Sequence, residues 1–130
     1  MAALSAARAM NFQPDVVHCN DWHTALTPFF LKKDESGFFN KTKSVLTIHN
    51  GAYQCQNEFS QVPFLHPFDE LSRRTDDHGS INFLKIGIEF SNKINAVSPN
   101  YARELLTPMG SHNLFEDFKH REYDMSGILN

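Results

Sequence analysis

The sequence predicts an α/β fold: a Rossmann-like three-layer fragment in which a short parallel sheet of about three strands is flanked by helices. Three observations carry this. The stretches Asp15-Val-Val-His-Cys-Asn-Asp-Trp-His23, Ser44-Val-Leu-Thr-Ile-His-Asn50 and Lys93-Ile-Asn-Ala-Val-Ser-Pro99 share one design, an apolar β-branched run that ends in polar or turn-forming residues. Helix-compatible segments separate them, the spacing expected of strand–helix–strand units with right-handed crossovers. Val45, Leu46 and Ile48 suit a strand buried on both faces, as parallel sheets require. A length of 130 residues falls inside the range of one domain.

Taken in order, Ala2 to Met10 is rich in alanine and leucine and reads as a short helix, with Asn11 and Pro14 marking its end. A helix that begins at the first residue suggests that its lead-in lies upstream. Asp15 to His18 forms the first strand. Asn20 or Asp21 then caps a helix over about Trp22 to Lys33, with Leu26, Phe29 and Phe30 facing the sheet and Pro28 confined to its first turns. Asp34-Glu-Ser-Gly37 breaks that helix, and Lys41 to Lys43 leads into the central strand, which Asn50-Gly51 terminates. Asn57 to Phe68, interrupted by two prolines, reads as an irregular aromatic insertion, followed by one helical turn near Asp69 to Arg73 and a polar loop through Gly79. Ile81 to Asn92 shows a nearly all-round apolar helix pattern, with Gly87 explained by close approach of another backbone. Ile94 to Val97 is the third strand. Ser98-Pro99 pairs a cap residue with proline at the first helical position, so a helix through Leu106 follows. Ser111 to Asn130 carries no strong signal, except that Ile128 and Leu129 read as the start of a further strand.

Composition narrows the function. The chain has 12 basic and 15 acidic residues, a net charge of −3, and no block of either sign. It therefore lacks the electrostatic footprint of a nucleic-acid binder or of a protein held on an anionic membrane. No apolar run approaches the roughly 20 residues that cross a bilayer, and the reading is of a soluble, cytoplasmic protein. Cys19 and Cys55 are expected to be reduced, although both are placed beyond strand ends on the same edge of the sheet. Neither a Walker sequence nor G-x-G-x-x-G occurs.

Open parallel sheets bind ligands at the carboxyl ends of their strands. His18, Asn20, Asp21, His23, His49, Asn50, Tyr53 and Gln54 all fall at or past two such ends. Amides, hydroxyls, imidazoles and one carboxylate without a lysine or arginine cluster suit a polyhydroxylated ligand better than a phosphate. The bland readings are a buried, satisfied His18, a helix-capping Asp21, a core Trp22 and a surface His23. The turn after His49 favours an outward, functional imidazole. A metal centre is disfavoured, because the His-x4-His spacing does not match H-E-x-x-H and no C-x-x-C occurs.

Pro14 to His23, Ser44 to Asn50 with Ala52-Tyr-Gln54, Ile81-Asn-Phe-Leu-Lys85, Asn95 to Glu104 and Ser126-Gly-Ile-Leu-Asn130 together resemble the bacterial glycogen synthase and plant starch synthase family, in order over nearly the whole chain. The resemblance implies a retaining GT-B glucosyltransferase, with two Rossmann-like domains facing each other across a cleft. Such an enzyme adds glucose from ADP-glucose to the non-reducing end of an α-1,4-glucan and needs no cofactor or metal. Residues 1–130 correspond to a single partial domain, the later half of the first of those domains. On this resemblance Asp21 and His49 are the catalytic-site residues, Asp21 facing the glucosyl and acceptor region and His49 lying beside the transferred sugar. His23, Asn50, Tyr53, Gln54 and Asn130 would contact substrate. Cys55 stands where the family commonly has glycine, and Gly51 where a larger apolar residue is usual, which bears on the path of that loop. The family's K-T-G-G nucleotide loop and the donor-holding lysine, arginine and glutamate lie outside this stretch, so the isolated chain is expected to be inactive. The competing expectation is a non-catalytic carbohydrate-binding or scaffold domain. An exposed sheet edge would favour a homo-oligomer.

Overall fold

The computed structural model describes all residues 1–130. Its main sheet has four parallel strands, β1 (Val16–Asn20), β2 (Lys43–Ile48), β5 (Lys93–Ala96) and β6 (Met125–Gly127), side by side in that order. An antiparallel pair, β3 (Gln56–Glu58) with β4 (Ser80–Asn82), stands apart. The helices are α1 (Ala2–Ala9), α2 (Asp21–Thr24), α3 (Thr27–Lys32), α4 (Asp69–Ser72), α5 (Phe83–Phe90), α6 (Pro99–Leu105) and α7 (Phe115–His120). The α/β class and the parallel pairing of neighbouring strands are as the sequence predicts.

The helices pack on one face of the sheet, so these residues supply two of the three layers. Cys19, Leu46, Ile48, Ile94 and Ala96 point into a cluster with Leu84, Ile88, Ala102, Leu105 and Phe118. A second cluster, bordered by Val17, joins Leu4 of α1 to Phe29 and Phe30 of α3, Leu71 of α4 and Ile86 and Phe90 of α5. The strand order runs in one direction across the sheet, and parallel crossovers share one hand. All of the connections therefore fall on the same side. The opposite face carries His18, Asn20, Thr47, Asn95 and Ser126, with Val16 half exposed at its edge.

Several boundaries differ from expectation for local reasons. The segment from Trp22 to Lys33 is two helices, because Pro28 opens α3 in its first turn. Ile81 belongs to β4, and α5 starts one residue after Asn82, whose Oδ1 accepts the Lys85 amide at 3.0 Å. The apolar run had merged a strand residue into the helix pattern. Helix α7 lies in the stretch without a sequence signal. Arg121, just past its end, donates to the carbonyls of Ile88, Glu89, Ser91 and Asn92 and so satisfies the carboxyl end of α5 from outside. The last strand begins at Met125, with Ile128 and Leu129 exposed beyond it.

The expected features around Gly87 and Ser98 are present. A Cβ on Gly87 would sit 2.7 Å from Ala25 Cβ and 2.9 Å from its carbonyl oxygen, so α5 and the end of α2 touch backbone to backbone there. Ser98 Oγ accepts the Tyr101 amide at 2.9 Å at the start of α6. Both cysteines are free, and Cys19 lies buried inside β1 rather than beyond its end. Burial pushes its thiol up to about 11.

Candidate functional site

The carboxyl ends of β1 and β2 form the rim on which the candidate residues meet. Asn20 pairs with Thr47, so Asp21 and His49 emerge from adjacent strands at nearly the same height. Asp21 does not cap α2. Its backbone adopts a left-handed φ of +51°, uncommon for a residue with a side chain. That turn aims the carboxylate across the rim, where Oδ1 accepts the His49 amide at 2.8 Å and the Asn50 amide at 3.3 Å. Strain of this kind persists only where the surroundings over-determine it, and it concentrates at functional sites.

The turn after β2 is tied down residue by residue. The Gly51 amide donates to Tyr101 Oη at 2.7 Å, and the Ala52 amide to Asn50 Oδ1 at 3.0 Å. Burial holds the Tyr101 phenol above its ordinary value, with nearby Asp21 adding to the rise and the Gly51 contact opposing it. Tyr101 therefore stays a neutral hydroxyl. A Cβ on Gly51 would meet Leu105 Cδ2 at 3.1 Å, so the larger apolar residue usual here would press on α6. The His49 ring is exposed, and its Nε2 lies 3.0 Å from Asn20 Oδ1. With that oxygen as acceptor, Nε2 is the donor of this contact.

The remaining candidates divide. His23 is exposed and stacks on Trp22, ring centroids 3.9 Å apart, and Trp22 is half-buried at the border of the core rather than inside it. Tyr53 projects from the loop at 66% exposure. Gln54 is engaged within the chain. Its Nε2 donates to the Gly51 and His112 carbonyls, and its Oε1 accepts from Asn82 Nδ2. It latches the loop to the start of α5, where the Leu84 amide also donates to the Gln54 carbonyl. Asn130 donates its amide to the Val97 carbonyl at 3.2 Å. Val97 follows Ala96, the partner of Ile48, so Asn130 reaches the same rim one strand beyond His49. His18 is exposed rather than buried, with Nε2 2.7 Å from Thr47 Oγ1 on the open face.

Sequence reasoning missed Tyr101 as a support of the His49 turn. The only local signal was its place in the first turn of a well-capped helix. It also missed a cleft of about 780 Å³ beside the rim, lined by Trp22, the 52–56 loop, Thr75, Ser80 and Asn113 among others. Cys55, in that loop, has a left-handed φ of +54°, a conformation that accounts for glycine being usual there. No group of His, Cys, Asp and Glu is placed to hold a metal ion, and no helix is long and apolar enough to cross a membrane.

Comparison with known proteins identifies the fold and the family. The family described as the starch synthase catalytic domain matches residues 1–120. Glycogen synthase from Photobacterium profundum is 46% identical over 99% of this chain and 26% of its own length. Glycogen synthase from Vibrio cholerae serotype O1 is 42% identical over 99% of this chain and 28% of its own. A solved structure, the catalytic domain of starch synthase IV from Arabidopsis thaliana bound to ADP and acarbose, superposes with a TM-score of 0.83 at 29% identity, covering 99% of this chain and 28% of that one. The chain thus spans about a quarter of the length of these relatives. It belongs to the starch synthase catalytic domain family, the family of the glycogen and starch synthases.

Proposed function

We propose that these residues form part of the first Rossmann-like domain of a retaining GT-B glucosyltransferase, and that the rim at Asp21 and His49 faces the sugar moved from ADP-glucose to the non-reducing end of an α-1,4-glucan. The observation that carries this is the contact of the Asp21 carboxylate with the His49 and Asn50 amides. It holds an imidazole and a carboxylate side by side at the carboxyl edge of a parallel sheet, in a chain similar to glycogen synthases. Asp21 Oδ2 and His49 Nδ1 then accept from sugar hydroxyls, while Asn50, Tyr53, His23 and Asn130 lie within the same edge region. The cytoplasm, where nucleotide sugars are used, is the expected compartment.

The rim offers acceptors and neutral donors but no cation for a leaving diphosphate. Transition-state stabilisation of phosphate departure depends on such charges held in place. The chain alone is therefore expected to bind glucan without turning it over. Incubation with ADP-glucose and glycogen should give no elongation, while titration with maltotriose should shift the amide resonances of His49 and Asn50. Maltotriose leaving those resonances unmoved at tens of millimolar would overturn the assignment of the rim. The outer edge of β1 pairs with no further strand, and self-association through it is the expected assembly. Light scattering that shows a strict monomer at high concentration counts against this.

A further inference from the structure

The amino ends of the strands, opposite the rim, carry a different set of charges. Lys32, Lys41 and Lys43 have no carboxylate within 4.0 Å, whereas each of the other four lysines is paired with one. These unmatched cations stand on a chain whose net charge is −3. Lys32, in the last turn of α3, and Lys43, at the start of β2, line one pocket of about 250 Å³ together with the buried Leu31 and Phe39. Lys41 lies in the turn that leads into β2.

Asn92, the residue before β5, adds a donor that is held in place. Its Oδ1 accepts the Ser44 amide at 2.8 Å and the Ser44 hydroxyl at 3.2 Å, and its own amide donates to the Ser44 carbonyl and hydroxyl oxygens, each at 3.1 Å. Accepting a backbone N–H fixes which end of the side-chain amide is oxygen. Nδ2, which donates to no group of the chain, is left for the pocket that Asn92 lines. Lys32 Nζ lies 5.5 Å from the Phe90 ring centre, a contact that restrains the ammonium without using its donors. The one carboxylate of the lining, Asp34, is engaged by Arg8 and by Ser36 Oγ at 2.6 Å. Lys32 also answers the carboxyl end of α3, but that role explains neither Lys43 nor the idle amide of Asn92.

We propose that this pocket is an anion site, in which Lys32, Lys43 and Asn92 Nδ2 hold the phosphate group of a small molecule. Two ammonium groups offset a phosphate dianion, and the fixed amide donor gives the contact direction. The volume admits inorganic phosphate or a short phosphate monoester and is too small to enclose a nucleotide. Both lysines are exposed, so binding should weaken steeply with added salt. The pocket lies at one end of β2 and His49 just past the other, so the site stands or falls independently of the rim.

The test titrates the 130-residue chain with inorganic phosphate at low ionic strength, against sodium chloride of matched ionic strength, and reads amide resonances. Phosphate is expected to shift Lys43, Ser44 and Asn92 with half-saturation at about 1–10 mM. Lys32→Gln and Lys43→Gln should each weaken binding about threefold to fivefold. Arg103→Gln, which removes a cation that likewise has no carboxylate partner, should leave it unchanged. Asn92→Asp keeps the oxygen that accepts the Ser44 amide and puts a second oxygen in place of Nδ2. It should preserve the urea midpoint and abolish phosphate binding. Glycerol 3-phosphate distinguishes the two sources of the group. Tighter binding than phosphate, with added shifts at Leu31 and Phe39, supports an ester as the ligand, and weaker binding supports free phosphate. The site is overturned if phosphate gives no shifts beyond those of chloride, or if the two lysine variants and Arg103→Gln lose affinity equally.

Discussion

The two faces of the sheet are built on opposite terms. One face is apolar and closed, with Leu46, Ile48, Ile94 and Ala96 fully buried under α5, α6 and α7. The other carries a row in which Asn20, Thr47, Asn95 and Ser126 stand opposite one another on successive strands, joined by His18 to Thr47 and Asn95 to Thr47. Asn95 Oδ1 is buried there without a partner. Stability therefore resides on the packed face. The open face and the rim hold polar groups whose value lies in position: Thr47 is held by His18 and Asn95, and the rim side chains His49 and Tyr53 stand exposed.

Substitutions sharpen this contrast, beginning with the packed face. Phe29 is fully buried and meets Phe30, Phe68 and Phe90 edge to face. Phe29→Ala should cost about 4 kcal/mol in urea unfolding. A loss below about 1 kcal/mol would mean that the second cluster is not part of the cooperative core. The Cys19 thiol, raised by burial from 9.0 to about 11, gives the same face a signature in pH. A group raised on folding contributes stability that is complete below its unfolded value and is lost as pH climbs to the folded one. The urea midpoint should accordingly fall between about pH 9 and 11, and Cys19→Ala should flatten that fall.

The rim comes next. Asp21→Ala removes the acceptor of two amides and keeps a side chain in the left-handed region, at a cost of about 2 kcal/mol. Asp21→Asn should lose much less, since asparagine tolerates that conformation and its carbonyl still accepts. Equal losses for the two variants would show that charge, not anchoring, sets the contribution of Asp21. Cys55→Gly should gain about 0.5–1 kcal/mol by relieving a left-handed backbone, net of the greater chain entropy of glycine. Differential scanning calorimetry reads this as a higher Tm. On the open face, His18→Ala should change stability by no more than about 0.5 kcal/mol. A larger loss would contradict the division between the faces.

Much of the architecture was legible along the chain because its causes are local. The β-branched runs at Val16, Val45 and Ile94, the Ser98-Pro99 cap and the break at Asp34 each act within a few residues. Helix α7 was not legible, since Arg121 and the underside of α5 hold it. The β4–α5 boundary was hidden by Ile81, whose apolar side chain fits either period, although Asn82 before the helix was the available cap signal. At the rim, the residue types that suit a sugar could be read, but not which of them are engaged elsewhere. Gln54 has three partners that lie 3, 28 and 58 residues away.

By itself, then, the sequence determined that parallel strands carry polar residues at their carboxyl ends, because periodicity and cap chemistry are written in adjacent residues. Only the tertiary structure decided that Asp21 anchors the His49 turn instead of capping its own helix. That choice depends on β1 and β2 lying at the same height, the carboxylate and the first amide it holds being 28 positions apart in the chain. It also decided which face stays open, because the hand of the crossovers and the order of the strands are properties of the whole sheet.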